Sequence, residues 1–496
     1  MNYFMGIDLG TSSTKTLIMD ENGKTAGIGN ASYGIQIPQI SYAEQDPLEW
    51  WEAVKKSIQK ALQEAGIQGR DIAGIGFSGQ MHGMVALDEN KQLACNAIIH
   101  LDQRSSIDLK EIRALAGNLM TEELLNQPSA GMMISSLYWL KKHQKETYDR
   151  IRYVMSPKDY ISFRLCGEIG TEYTDAGAAL GFSVKNYHWC TELFKRLDLK
   201  EDIWPPVHKS YEIAGHVTAK AAEETGLSTS TKVICGAGDS MAALTGNGII
   251  EKGFITCNIG TSSQLAVVVD KPIFDPKMRI QTWCHTVPQR WVVQSGTLNG
   301  GSVLSWLRNN MLKTDQSFAK LDQEAGLTPA GADGLYFLPY LAGERTPYND
   351  PYAKGVFFGL SMMHQQGHLV RSAMEGILFN LKECLYILDE MKVDRSRLIA
   401  SGGAARGVTW KQIQADVLNM PVYSTNVKEE ACQGAAILAA VGVGFFKDIK
   451  EGCQAAVTMS PEVVEPIPEN VKIYNEKQEI FHDLYYSVKE LYPRIR

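Results

Sequence analysis

The chain reads as α/β, with two similar domains. Three observations predict this. Short apolar strand-like runs alternate with helical patterns along the whole length. The 496 residues exceed what one ordinary core accommodates. A short string also recurs at half length: residues 8–13 read DLGTSS and residues 258–263 read NIGTSS, 250 residues apart.

The repeat extends into its flanks. YFMGI precedes the first copy and GFITC the second; TLIMD follows the first and QLAVVVD the second. Each copy is therefore predicted to be a β-hairpin whose turn is rich in Gly and hydroxyls. Similarity at so long a period means a duplicated domain, not a solenoid. The expected division is 1–246 and 247–496, with a linker near 240–252 where TGNG and EKG interrupt the apolar pattern.

Other elements follow in order. Residues 46–65 predict a helix: Asp46 as N-cap, Pro47 in the first turn, Glu49 completing a capping box, and Val54, Ile58, Ala61 and Ala65 on one face. LDENKQLA at 87–94 predicts a hairpin turn. Residues 398–420 read as strand LIAS, turn GGAARG and helix TWKQIQADVLNM, and 431–442 as a small-residue helix suited to close packing.

Composition excludes several classes. Hydrophobic residues make up 44% and charged residues 21%, as in a globular protein. A net charge of -7 argues against a nucleic-acid partner, which calls for a basic face. No apolar run reaches membrane-spanning length. The first ten residues, MNYFMGIDLG, lack a basic leader, and their apolar run breaks at Asp8. Nine cysteines without a C-x-x-C pair read as free thiols of a reducing cytoplasm. The histidines show no zinc-ligand spacing.

The chemistry is expected at the two turns. A Gly-Thr-Ser turn brings backbone N–H groups and hydroxyls close to an anion, so two of them could hold a polyphosphate. Asp8 ends the first strand, where a carboxylate beside phosphate needs a cation between them, so it is expected to face Mg²⁺. Lys15 could reach phosphate oxygens or be a surface lysine. GIGFSG at 74–79 matches G-x-G-x-x-G, but the sequence after it reads as loop and strand, not helix, so a dinucleotide site is not expected. There is no P-loop signature. Asp239, in CGAGDSMAALTGNG, sits where a glycine-rich turn becomes a helix. By spacing it is an N-cap or a catalytic base, and both readings are open here.

The segments DLGTSSTK, GQMHG, GAGDSMAA, NIGTSS, FLPYLAGERTPYNDPYAKGVFFGLS and SGGAARGVTWKQIQADVLNMPV, in this order over residues 6–442, resemble the FGGY carbohydrate kinases, and among them most the xylulokinases. The resemblance implies two actin/hexokinase-type (ribonuclease H-like) domains and an intervening cleft for ATP and sugar. The implied reaction is transfer of the ATP γ-phosphoryl group to a sugar hydroxyl, with D-xylulose giving D-xylulose 5-phosphate as the expected case. Matched residue by residue, it implies Thr11, Ser12, Ser13 and Lys15 as one phosphate loop and Gly260 and Thr261 as the other. Gly402, Gly403 and Ala404 match the adenosine motif, and Gly301 and Ser305 lie on the nucleotide's path. Met81 and His82 match the ketose-contacting pair and Asp239 the catalytic base; Asp8 and Asp239 would face Mg²⁺ through water.

A ketose also needs polar contacts, for which Gln80, Asp102 and Arg104 are candidates beside His82. Two segments depart from the xylulokinase pattern. HLDQR at 100–104 has His100 where tryptophan is usual, and SSLYW has Ser136 near a usual lysine. Both lie in the substrate half, so another pentulose, a hexulose, a polyol or an aldonate stays an alternative acceptor. The sequence does not fix the oligomeric state; a homodimer is an open expectation.

Overall fold

The computed structural model describes residues 2–495. Its frame is two sheets of like topology. The first contains β1 (Tyr3–Leu9), β2 (Ser13–Met19), β3 (Thr25–Ser32), β4 (Ile72–Gly79), β5 (Ile213–His216), β6 (Lys232–Ile234) and β7 (Ala237–Gly238). Its order is β5-β6-β4-β1-β2-β3, with β7 also on β4. The second contains β8 (Phe254–Ile259), β9 (Ser263–Val269), β10 (Gln281–Cys284), β11 (Trp291–Thr297), β12 (Arg397–Ser401) and β13 (Val422–Tyr423), in the order β10-β11-β9-β8-β12-β13.

The correspondence is strand for strand. In the first sheet β1-β2-β3 is an antiparallel meander, with β4 parallel to β1 and β6 parallel to β4. In the second, β8-β9-β11 is the meander, with β12 parallel to β8 and β13 parallel to β12. Register is kept too: Asp8 lies opposite Ser78, and Asn258 opposite Ser401. The duplicated sequence is thus a duplicated actin/hexokinase-type sheet, and both hairpin turns open at the same end of their sheets.

Local elements match the periodicity. Helix Pro47–Ala65 buries Trp50, Val54, Ile58 and Ala61 and ends at Gly66 in the left-handed region. Its cap is an Asp46–Leu48 N–H bond of 2.8 Å rather than the expected box with Glu49. The strand Arg397–Ser401 leads through a tight turn into helix Val408–Leu418. Residues 240–246, expected within a linker, belong to helix Asp239–Gly246; the connection to β8 spans 247–253. All nine cysteines are free, and among the described residues no helix is long and apolar enough to cross a membrane.

Helix Glu430–Gly442 comes from the second half of the chain yet packs on the first sheet. A Cβ at Gly6 would stand 2.0 Å from the Cys432 carbonyl oxygen, and one at Gly76 2.1 Å from that of Ala435. The helix also crosses Asp239–Gly246 closely, with Gly434 against Ala242 and Gly246 against Glu430. Gly74 and Gly76 of GIGFSG therefore lie under this helix, and the segment is not a dinucleotide loop. Only hydrogen at these positions permits backbone-to-backbone approach.

Candidate active site

Asp8 is the last polar residue of β1. Its Oδ1 accepts a 2.7 Å hydrogen bond from Ser78 on β4, which leaves Oδ2 free of a protein donor. Burial raises its pKa, and the Ser78 bond and Lys15 oppose this. Asp239 is the first residue of its helix, after Gly238 as N-cap. Its Oδ1 accepts the N–H of the adjacent Ser240 at 2.6 Å, and the Ser240 side chain also bonds to the carboxylate. Burial first, and then repulsion from the Asp8 carboxylate, push it up to about 7. Each of these buried carboxylates lies within reach of the other's charge, and Asp239 is poised to hold or release a proton near neutrality.

Around Asp8, Tyr33 donates to the Gly10 carbonyl, and the Gln45 amide donates to the Thr11 carbonyl at 2.7 Å. These bonds shape the first turn and leave Ser12 exposed. Lys15, in register with Asp8, places its Nζ 2.6 Å from Glu429 Oε2. It is held at the start of the helix seated on the first sheet.

The second turn is built alike. Gly301 N–H donates to the Gly260 carbonyl at 2.6 Å, and Ser302 N–H to that of Thr261 at 3.2 Å. Both bonds fasten helix Gly301–Trp306 to the turn. Gly402 has φ +73° and lies against the Ile259 carbonyl, a conformation glycine adopts without strain. Gly260, Thr261, Gly301, Ser305, Gly403 and Ala404 line one cavity of about 670 Å³. Sequence reasoning missed the rest of its wall, including Phe318, Asp322 and Trp410. Trp410 stands inside the SGGAARGVTW segment, where a ring after the turn was the available signal. Phe318 arrives from a distant helix and gave none.

On the sugar side, His82 Nδ1 lies 2.9 Å from the Ala178 carbonyl. That oxygen can only accept, so Nδ1 carries the proton and Nε2 is the bare acceptor. Burial lowers the His82 pKa to about 4, so it is neutral at physiological pH. Met81 packs against Gly238, directly before Asp239. Gln80 donates to Gln45 at 2.9 Å, and its Oε1 is buried without a partner.

Asp102 and Arg104, expected to contact the sugar, are bonded to each other. Asp102 is fully buried and accepts from Ala43 N–H at 2.7 Å, from Arg104 N–H at 2.9 Å and from Arg104 Nε. Arg104 also reaches Glu44 at 2.6 Å and covers the Tyr42 ring at 3.7 Å. This buried ion pair braces segment 42–45, which carries Gln45.

Arg345 was not singled out. Its neighbour Glu344 is buried and binds Leu298 N–H, Asn299 and Asn380, which fixes the loop. The Arg345 guanidinium makes no hydrogen bond or ion pair among the described residues, and its charge is felt at His82 and His100.

The N-terminal domain of the FGGY family of carbohydrate kinases matches residues 3–246, and the C-terminal domain matches 255–443. A xylulose kinase of Staphylococcus epidermidis is 34% identical over 487 residues, covering 98% of this chain and 97% of that one. A gluconokinase of Bacillus subtilis is 30% identical over 508 residues, covering 100% and 98%. The structure of a ligand-bound xylulose kinase from Lactobacillus acidophilus superposes with a TM-score of 0.93 at 27% identity, covering all of both chains. With the family's N- and C-terminal domains matched in order on two sheets of like topology, the chain belongs to the FGGY family of carbohydrate kinases.

Proposed function

We propose that the protein transfers the γ-phosphoryl group of ATP to a hydroxyl of D-xylulose, giving D-xylulose 5-phosphate and ADP, with Asp239 as general base. The observation that carries this is Asp239 itself. It is a buried carboxylate with a pKa near 7, held by Ser240 and adjacent to the Met81–His82 loop. Phosphoryl transfer needs a group that accepts the hydroxyl proton as the oxygen attacks. Residues 1–246 supply the sugar side and the first phosphate turn through Thr11, Ser12, Ser13 and Lys15. Residues 247–496 supply Gly260, Thr261, Gly301 and Ser305, and the adenosine wall Gly402, Gly403 and Ala404.

Among the described residues no group of three or more His, Cys, Asp and Glu could hold a metal alone. This suits magnesium, which keeps its waters and takes one or two carboxylates beside the phosphates. Asp8 and Asp239 are the two carboxylates proposed for that purpose. The ion, when bound, neutralises phosphate charge. The chain's own residues orient the sugar at His82, accept its proton at Asp239 and enclose the nucleotide.

A second reading, an aldonate acceptor, is favoured by one observation. Arg345 makes no ion pair or hydrogen bond through its guanidinium among the described residues and its charge reaches His82 and His100, and such a cation attracts a carboxylate. ADP release with Mg-ATP and a panel including D-xylulose and D-gluconate decides. D-Xylulose is expected to give the highest kcat/KM. A higher value for gluconate replaces the first reading by the second, and no stimulation by any sugar removes both.

The nucleotide half has its own test. Thr261→Trp is expected to fill the 670 Å³ cavity and weaken ATP binding by about 10- to 100-fold, the cost of about 1–3 kcal/mol of overpacking. Sugar binding should be retained. Unchanged ATP affinity in calorimetry would count against the paired-turn arrangement.

A further inference from the structure

Behind the cleft lies a cluster that the reaction does not itself use. Lys158 is completely buried, with Nζ 2.5 Å from Asp159, 3.2 Å from Asp175 and 3.4 Å from Glu172. Glu172 is the N-cap of the short helix Tyr173–Ala178. It accepts from Thr174 N–H at 2.8 Å, Asp175 N–H at 3.0 Å, Thr174 Oγ1 at 2.7 Å and Ser210 Oγ at 2.9 Å. One lysine faces three carboxyls without access to water, and Asp175 responds with a pKa raised well above the ordinary value, burial being the main cause. So costly an arrangement needs a return beyond stability, because apolar packing would stabilise the spot at least as well.

The return is visible in what the helix touches. Thr174 Oγ1 accepts the N–H of Gly238 at 2.8 Å, the residue immediately before Asp239. At the other end of the same helix the Ala178 carbonyl receives His82 Nδ1 at 2.9 Å. Lys158 also lies beneath Gly79, where a Cβ would approach the lysine Cβ to 2.8 Å, just before Gln80-Met81-His82. One rigid mount therefore fixes the backbone of the base and the ring expected to meet the sugar.

We propose that Thr174 is a positioning residue for the reaction: its hydroxyl, oriented by Glu172 on the buried Lys158, holds Gly238 N–H and thereby sets Asp239 relative to His82. The inference rests on Asp239 being the base. Thr174 touches neither substrate nor nucleotide, so its effect falls on kcat rather than on ATP binding. Alignment at the reacting atoms is where a small displacement costs most.

The test compares kcat, both KM values and Tm for Thr174→Val, Thr174→Ser and Ser210→Ala in the full-length enzyme. Valine keeps the shape and removes the hydroxyl; kcat should fall about 10- to 100-fold, with KM for ATP within about twofold of wild type. Serine restores the hydroxyl and should restore most of kcat. Ser210→Ala removes a bond to the same Glu172 but leaves Gly238 held, so it should lower Tm without lowering kcat. If the valine variant does not fold, Thr174→Ala is read against Ser210→Ala in the same way. The inference is overturned if valine leaves kcat unchanged, if serine loses as much as valine, or if Ser210→Ala loses kcat equally. Asp239→Asn is assayed alongside. If it turns over normally the base reading itself fails, whereas an inactive Asp239→Asn with a wild-type-like Thr174→Val rejects only the positioning role.

Discussion

Asp239→Asn is expected to lower kcat by about 10²–10⁴, the range for loss of a general base, while ATP affinity stays near normal. Asparagine keeps the shape and the bond from Ser240 N–H but cannot take the proton. The same residue sets the pH dependence. The base works only when ionised, and its pKa is pushed up to about 7 by burial and by Asp8. The acid limb of kcat/KM for the free enzyme should therefore have its midpoint near pH 7. His82, lowered to about 4, stays neutral there and does not contribute that limb.

The stability consequence has the opposite sign to the usual carboxylate. Asp239 ionises at about 7 in the fold against 3.8 ordinarily. Between those values the folded state holds more protons than the unfolded state, so its stability falls as pH rises through that window. Asparagine removes the penalty. At pH 8 the inactive variant should be more stable than wild type by on the order of 1–3 kcal/mol, less than the full shift allows because the cleft admits water. Denaturant titration at pH 5 and pH 8 reads this directly. Wild-type turnover in the variant would refute the base assignment, and equal stability differences at the two pH values would refute the linkage.

Gly434→Val should be strongly destabilising. A Cβ there would lie 1.9 Å from the Ala242 carbonyl oxygen and 3.0 Å from Gly246 N. Both are backbone atoms, so no side chain can turn aside. Helix Glu430–Gly442 would have to lift from helix Asp239–Gly246, at a cost of about 3–5 kcal/mol. The chemistry should suffer with the fold. Glu429, just before this helix, holds Lys15 at 2.6 Å, and Glu430 accepts the Gly402 N–H at 3.4 Å. The helix thus ties the 8–15 hairpin of the first sheet to Gly402 after the second. Urea unfolding and ATP binding should both weaken, whereas an unchanged midpoint would show that the crossing has slack.

Turn chemistry and periodicity are properties of a few neighbouring residues, and they were legible. The two Gly-Thr-Ser hairpins, the capped helix after Asp46 and the strand-turn-helix at 398–420 follow from residue types at fixed short spacings. The sequence also contained the rejection of GIGFSG as a nucleotide loop, but not what those glycines do. The partner of Gly74 and Gly76 lies more than 350 residues away, on helix Glu430–Gly442. Asp102 and Arg104 illustrate the same limit. Polarity marks them as fit to bind a sugar, yet only packing reveals that they also bond to each other, to Glu44 and to Ala43 N–H. Lys158, Thr174, Arg345, Phe318 and Trp410 acquire meaning from neighbours distant in the chain. The sequence by itself determined the repeated strands, their turns and the identity of the acid at 239. The tertiary structure decided which polar groups are spent inside the fold and which remain free at the cleft, because a side chain's capacity to bind is whatever its long-range contacts leave unused.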